Sequence, residues 1–166
     1  TAGEAIDITD LSVQAADVLA FAKKIDDTIA ATSGTTGTIT FTQATNITGT
    51  SAQVKLIAVE AAKTGGDANN IVYTVNDPTV TITGPVAQAD ELEAIRSVHT
   101  RENTGVITVT SSVIEGTAAN LLLVVNTNKA SYTGEETANL NVVSTDTLDA
   151  TEAVTLSGLT SGTISG

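Results

Sequence analysis

The chain has 166 residues, enough for one ordinary domain or a short repeat array with its own core. Its formal charge of −12, from 19 acidic and 7 basic residues, argues against a nucleic-acid or polybasic membrane contact, because both need Lys and Arg to neutralise phosphates. With no cysteine there is no disulfide and no thiolate metal site, and no apolar run approaches the roughly 18 residues of a membrane span.

Aromatics make up only 2% of the residues, so the core must be built from Ala, Val, Ile and Leu. Threonine occurs 31 times, and β-branched residues favour a pleated surface over a helical bundle. Ile6-Asp7-Ile8-Thr9 alternates and predicts a strand. Asp10 or Ser12 then offers a cap for a helix over 13–32, whose expected inner face is Val18, Phe21, Ala22, Ile25 and Ile29. After a Gly/Thr/Ser break, Thr38 to Thr42 alternates again as a strand. Ile47-Thr48-Gly49 closes another strand, and Thr50 or Ser51 caps a helix to about Lys63 with Val54, Ile57, Ala58 and Ala61 inward. Thr64-Gly65-Gly66-Asp67 stops that helix, Ile71 to Val75 reads as a strand, and Asn76-Asp77-Pro78 is a turn signal.

The same order returns twice more. Val80-Thr81-Ile82 leads to Gly84 and to Pro85, a residue suited to a helix entrance, and the helix runs through Ala89, Leu92, Ile95 and Val98. Val106 to Thr110 is the following strand. Val113-Ile114, Gly116 and Thr117 introduce a helix over Leu121 to Val125, Thr133-Gly134 breaks it, and a strand is expected around Leu140 to Val143. A shortened last unit starts at Thr147-Leu148 and finishes at Ile164. The landmarks Asp10, Gly49, Gly84, Gly116 and Ala150 are spaced by 39, 35, 32 and 34 residues, and a second set of breaks falls at Gly37, Gly65, Gly105, Gly134 and Gly162.

A near-constant interval in this range marks stacked repeats, in which one unit cannot bury its own apolar face. The expected fold is therefore an α/β repeat, a solenoid-like array of strand-helix-strand units of about 34 residues with parallel strands. The approximate units are 6–44, 45–78, 79–111, 112–145 and 146–166. A compact α+β or α/β domain is the second architecture, and a Thr-rich β-sandwich the third. The lack of methionine and of a signal-peptide pattern at Thr1 predicts a segment of a longer chain.

Residues for chemistry are few. His99 is the only histidine, expected as a surface contact at a helix C-terminus, and no triad can be assembled around it. The carboxylate groups Asp26/Asp27, Asp90/Glu91/Glu93 and Glu135/Glu136 read as solvated charge. Asp67, Asn69 and Asp77, with Asn70 and Asn76, are the residues that could place oxygens around a calcium ion, although Asn and Asp in such places more often make turns. Asn46-Ile47-Thr48 matches a glycosylation acceptor. No catalytic residues, no cofactor site and no enzymatic activity are expected.

The phrases ITGTSAQV (47–54), EGTAANLLL (115–123) and TGVITVT (104–110) resemble repeats of very large Thr/Ala/Gly-rich cell-surface proteins of cyanobacteria and other aquatic bacteria. Similar units are known from bacteriophage tail fibres and particle decorations. The resemblance implies an extracellular, cell-surface role in a surface layer, filament or adhesin stalk. Its partners would be copies of the chain, adjacent repeats or cell-surface glycans. A phage structural protein is the alternative, and a secreted carbohydrate-binding domain, with a groove lined by Tyr73 or Tyr132, is a weaker one. Some relatives of this kind carry nonapeptide calcium-binding turns. The chain departs from that pattern, since Gly65-Gly66-Asp67-Ala68-Asn69 is the nearest approach and occurs once.

Overall fold

The computed structural model describes residues 5–32, 37–42, 45–62, 71–73, 78–99, 106–143 and 145–166. In chain order it contains β1 (Ala5–Ile8), β2 (Ser12–Gln14), α1 (Ala15–Thr32), β3 (Thr38–Phe41), β4 (Asn46–Gly49), α2 (Ser51–Ala62), β5 (Ile71–Tyr73), β6 (Thr79–Ile82), β7 (Val86–Gln88) and α3 (Ala89–His99). There follow β8 (Ile107–Val109), β9 (Val113–Gly116), α4 (Ala118–Leu122) with a π-helical turn over Leu123–Thr127, β10 (Tyr132–Thr133), β11 (Asn139–Val142), α5 (Ala150–Ser157) and β12 (Ile164–Ser165).

Every strand pairs in parallel. The strands form three sheets, with the orders β1-β3-β5, β10-β8-β6-β4-β2 and β12-β11-β9-β7. The protein is thus α/β, with three parallel sheets and helices as the connections that parallel pairing requires. The registers set like residues side by side: Ile6, Ile39 and Ile71 in the first sheet; Val13, Ile47, Val80, Ile107 and Tyr132 in the second; Ala87, Ile114, Leu140 and Ile164 in the third. These rows point inward, and their inner members are fully buried in one continuous apolar cluster. Each buried isoleucine of such a row is worth about 2 kcal/mol relative to an exposed one. The helices line up in the same order, α1 on α2, α2 on α3, α3 on α4 and α4 on α5.

Among the described residues the helical faces follow the apolar spacing with two exceptions, and the side chain of Ile29, expected inward, lies outside them. Val18, Ala22 and Ile25 of α1, Val54, Ile57 and Ala58 of α2, and Ala89, Leu92 and Ile95 of α3 are buried as expected. Phe21, expected inward, is 44% exposed. His99, expected at the surface, is 1% exposed. It stands four residues after Ile95 on the Ala89-Leu92-Ile95 stripe, so the α3 period carries it into the core.

Two helix entrances differ from expectation for one reason: strand pairing holds the chain extended a little longer. Ser12–Gln14 pairs with β4, which moves the start of α1 from Val13 to Ala15 and leaves Asp10 and Ser12 away from its cap. Likewise Pro85 leads into β7, not into a helix, because 86–88 pairs with β9. The three spaced glycines are not equivalent either. Gly49 and Gly116 end strands, and a Cβ on either would stand 2.6 Å from that of Ala15 or 2.8 Å from that of Ala89. Gly84 lies in the link between β6 and β7 with φ 107°, and a Cβ there would meet only the Thr50 methyl, at an ordinary 3.6 Å.

Candidate functional site

Many polar side chains of the structure join one chain segment to another 22–40 residues away. Ser51, at the start of α2, donates to Glu91 Oε2 at 2.6 Å and accepts from the Gln88 amide at 3.2 Å. One hydroxyl therefore covers the β7 edge and holds the first turn of α3. Lys55 lies 3.7 Å from Asp90 and 4.0 Å from Glu91, a rim pair of small energetic consequence.

Glu93 is the most heavily used carboxylate. It accepts from Arg96 Nε at 3.0 Å, from Asn128 Nδ2 at 2.8 Å and from the Tyr132 hydroxyl at 2.8 Å, and Arg96 Nη2 lies 2.9 Å away. The expectation that Glu91 and Glu93 are solvated charge is corrected accordingly, and it holds for Asp90, whose side chain is exposed. Burial, then the Glu93 carboxylate, push the Tyr132 phenol well above its usual range. Tyr132 is buried and points into this knot, so it lines no sugar groove. The Tyr73 side chain lies outside the described residues.

Glu115 takes part in a second chain of bonds, across equivalent positions of four neighbouring strands. Gln88 Nε2 donates to it at 3.1 Å and Asn141 Nδ2 at 2.6 Å, and the Ser165 hydroxyl continues the row onto Asn141 at 2.9 Å. The two amides, Gln88 first, hold the Glu115 carboxyl below the usual range. On the second sheet Asn46 accepts from Thr79 and Thr81, and Thr133 donates to Thr108. The outer face of the sheets is therefore a set of polar columns that brace themselves.

Glu135 and Glu136 behave as unlike halves of one pair. Glu135 is 2% exposed, and burial raises its carboxyl above the ordinary value. Glu136, held by its own backbone amide and by that of Gly134 at 3.0 Å, sits below it. The pair is thus only partly the solvated charge expected.

His99 is held near a pKa of about 4 by burial, with the Pro78 carbonyl acting in the opposite direction. Its ring is therefore neutral at pH 7. Because the folded value lies below the ordinary 6.5, the stability it contributes is complete above pH 6.5 and is lost as the pH falls to 4. The loss is about 3 kcal/mol. Urea unfolding from pH 7 to 4 is expected to show this loss in the wild type and not in His99→Leu, so the stability difference between the two proteins changes by that amount over the range. Parallel pH curves for the two would contradict a buried neutral imidazole.

The predicted calcium residues Asp67, Asn69 and Asp77, with Asn70 and Asn76, lie outside the described residues, as do the side chains of Asp26 and Asp27. Among the described residues no three His, Asp or Glu side chains converge as a metal site would need, and no helix is long and apolar enough to cross a membrane. What the fold and its side chains define is an α/β protein of stacked parallel strands whose polar groups serve strand-to-strand and helix-to-strand contacts. Comparison with protein-family models, curated proteins and solved structures finds no match to this chain.

Proposed function

We propose that the chain is a non-enzymatic structural repeat module of an extracellular assembly, a surface layer, filament or adhesin stalk, and that it acts by self-association. In this reading the three parallel sheets are the walls of a solenoid. The observation that carries it is the pairing of strands in chain order with like residues in register, from Val13 beside Ile47 to Leu140 beside Ile164. The coil shortens along the array. Paired positions are 34 residues apart at Val13 and Ile47, 27 apart at Ala87 and Ile114, and 24 apart at Leu140 and Ile164.

Such an array buries its apolar rows only where a neighbour stacks on them, so its ends are the natural points of association. The charge of −12 suits a surface that repels strangers. Partners are copies of the chain or adjacent repeats, and cell-surface glycans in an adhesive setting. No cofactor is required, and calcium, if it acts, does so through Asp67, Asn69 and Asp77. Light scattering over a wide concentration range, with and without calcium, is expected to show mass rising with concentration. A chain that stays monomeric throughout would sink the proposal.

A further inference from the structure

We infer that the outer face of the second sheet is an ice-binding lattice, a regular array of threonines that shares its spacing with crystalline water. This surface lies in the middle of the chain and is independent of the self-associating role. β4, β6 and β8 pair without a shift, so Asn46 stands beside Thr79, and Thr48, Thr81 and Thr108 form one row that continues to Thr133. The order persists past the strand ends, where the Thr83 amide donates to the Gly49 carbonyl and the Thr110 amide to the Ile82 carbonyl. Alternate residues face opposite sides of a strand, and Ile47, Val80 and Ile107 are buried. The other side therefore presents three rows, at 46-79-106, 48-81-108 and 50-83-110. Threonine fills seven of these nine positions, and none of the nine is buried.

β-Branched side chains are stiff at χ1, and here the hydroxyls are braced as well. Thr79 and Thr81 donate to Asn46 at 3.3 and 3.2 Å, Thr133 to Thr108 at 3.3 Å, and Thr110 to the Ile82 carbonyl at 2.8 Å. Each bond spends the hydroxyl hydrogen and leaves oxygen lone pairs to accept from water, at a fixed place beside a methyl group. The sheet repeats these groups about 4.8 Å apart across strands and about 6.7 Å apart along them. Oxygens on a prism face of ice repeat at nearly the same two distances, so ordered water can bridge the array and the crystal.

Charge and area argue against other occupants. Of the 19 acidic and 7 basic residues, none lies in β2, β4, β6, β8 or β10 or at the nine positions. No ion there disturbs the hydration layer or calls for a charged partner. The nine positions span about 300 Å², against roughly 800 Å² per partner in a stable protein contact. Tyr132, the aromatic residue of these strands, is buried, so no ring is offered to a sugar.

The test measures thermal hysteresis of the purified chain by nanolitre osmometry, with light scattering to record its mass. The wild type is expected to hold a gap between melting and freezing points and to shape ice crystals into facets. Thr79→Lys and Thr81→Lys each place a hydrated ammonium in the lattice and should lose the gap, because contact with ice would strip that charge of water. Ser157→Lys, on α5, adds the same charge away from the sheet and should keep it. Circular dichroism melting is expected to show all three variants folded, since the replaced side chains point outward. A wild type without hysteresis would overturn the inference, as would retention of the full gap by both lattice variants. Adsorption to crystalline cellulose in place of ice would overturn it too, and would give the face to a polysaccharide. Each of these results leaves the self-associating role standing, since that role is read from mass alone.

Discussion

Replacing Glu93 by alanine is expected to lower the unfolding free energy by about 4 kcal/mol, a large share of a domain's total stability. The carboxylate receives the Arg96 guanidinium, the Asn128 amide and the buried Tyr132 hydroxyl at 2.8–3.0 Å. Removing it strands the buried Tyr132 hydroxyl at about 1–3 kcal/mol, while the half-buried Asn128 amide and Arg96 can turn toward water at less cost. Tyr132→Phe removes only one donor and leaves the carboxylate served, so about 1.5 kcal/mol is expected there. Because the two residues share one bond, the double variant should be less destabilised than the sum of the singles by about 1 kcal/mol. Chemical denaturation of the four proteins reads this directly. A loss under about 1 kcal/mol for Glu93→Ala would place the knot among exposed ion pairs that contribute little.

That knot also marks where sequence reasoning stops. Glu93 and Tyr132 are 39 residues apart, and nothing local distinguishes Glu93 from Asp90 and Glu91 beside it. Period and alternation did expose most of what is local: strands at Thr38–Phe41 and Ile107–Val109, and the buried stripes of α2 and α3. They also contained a signal for His99, since the stripe Ala89-Leu92-Ile95 continues onto it; reading the residue by its chemistry instead of its position put it at the surface. The short strands Ser12–Gln14 and Val86–Gln88 were hidden for another reason. Three residues next to a capping serine or a proline carry too little pattern, and a parallel neighbour 27–34 positions away settles their conformation. The glycine landmarks were legible as punctuation but not as geometry. Gly49 and Gly116 are there for closeness to an alanine, Gly84 for its backbone angle, and composition alone cannot separate these uses. For the candidate site the outcome is narrower. The calcium residues Asp67, Asn69 and Asp77 fall outside the described residues, and the columns of Thr, Asn and Gln became visible only once register set them side by side.

Two glycines with positive φ separate backbone strain from steric overlap, and Gly134 is the one where both act. It adopts φ 89° at the entry to the tight turn Glu135–Thr137, where its carbonyl accepts from the Thr137 hydroxyl at 3.0 Å and its amide donates to Glu136. A Cβ there would overlap the carbonyl oxygen of Val109 and stand 3.3 Å from its carbon. Both are backbone atoms at the end of β8 and cannot rotate aside. The left-handed angle alone costs a side-chain-bearing residue about 1–2 kcal/mol. Relieving the overlap means lifting the turn off β8, and β10 holds that turn through only two paired residues, Tyr132 and Thr133. Gly134→Ala is therefore expected to cost about 4 kcal/mol, with the Glu93–Tyr132 contact loosened as the turn moves. Gly84→Ala is the control: φ is 107°, but the nearest atom is the Thr50 methyl at 3.6 Å, so only the strain remains, about 1 kcal/mol. Thermal or urea unfolding of the two variants should rank them in that order. Equal losses would show that the turn at 134 yields freely and that β10 is not pressed against β8.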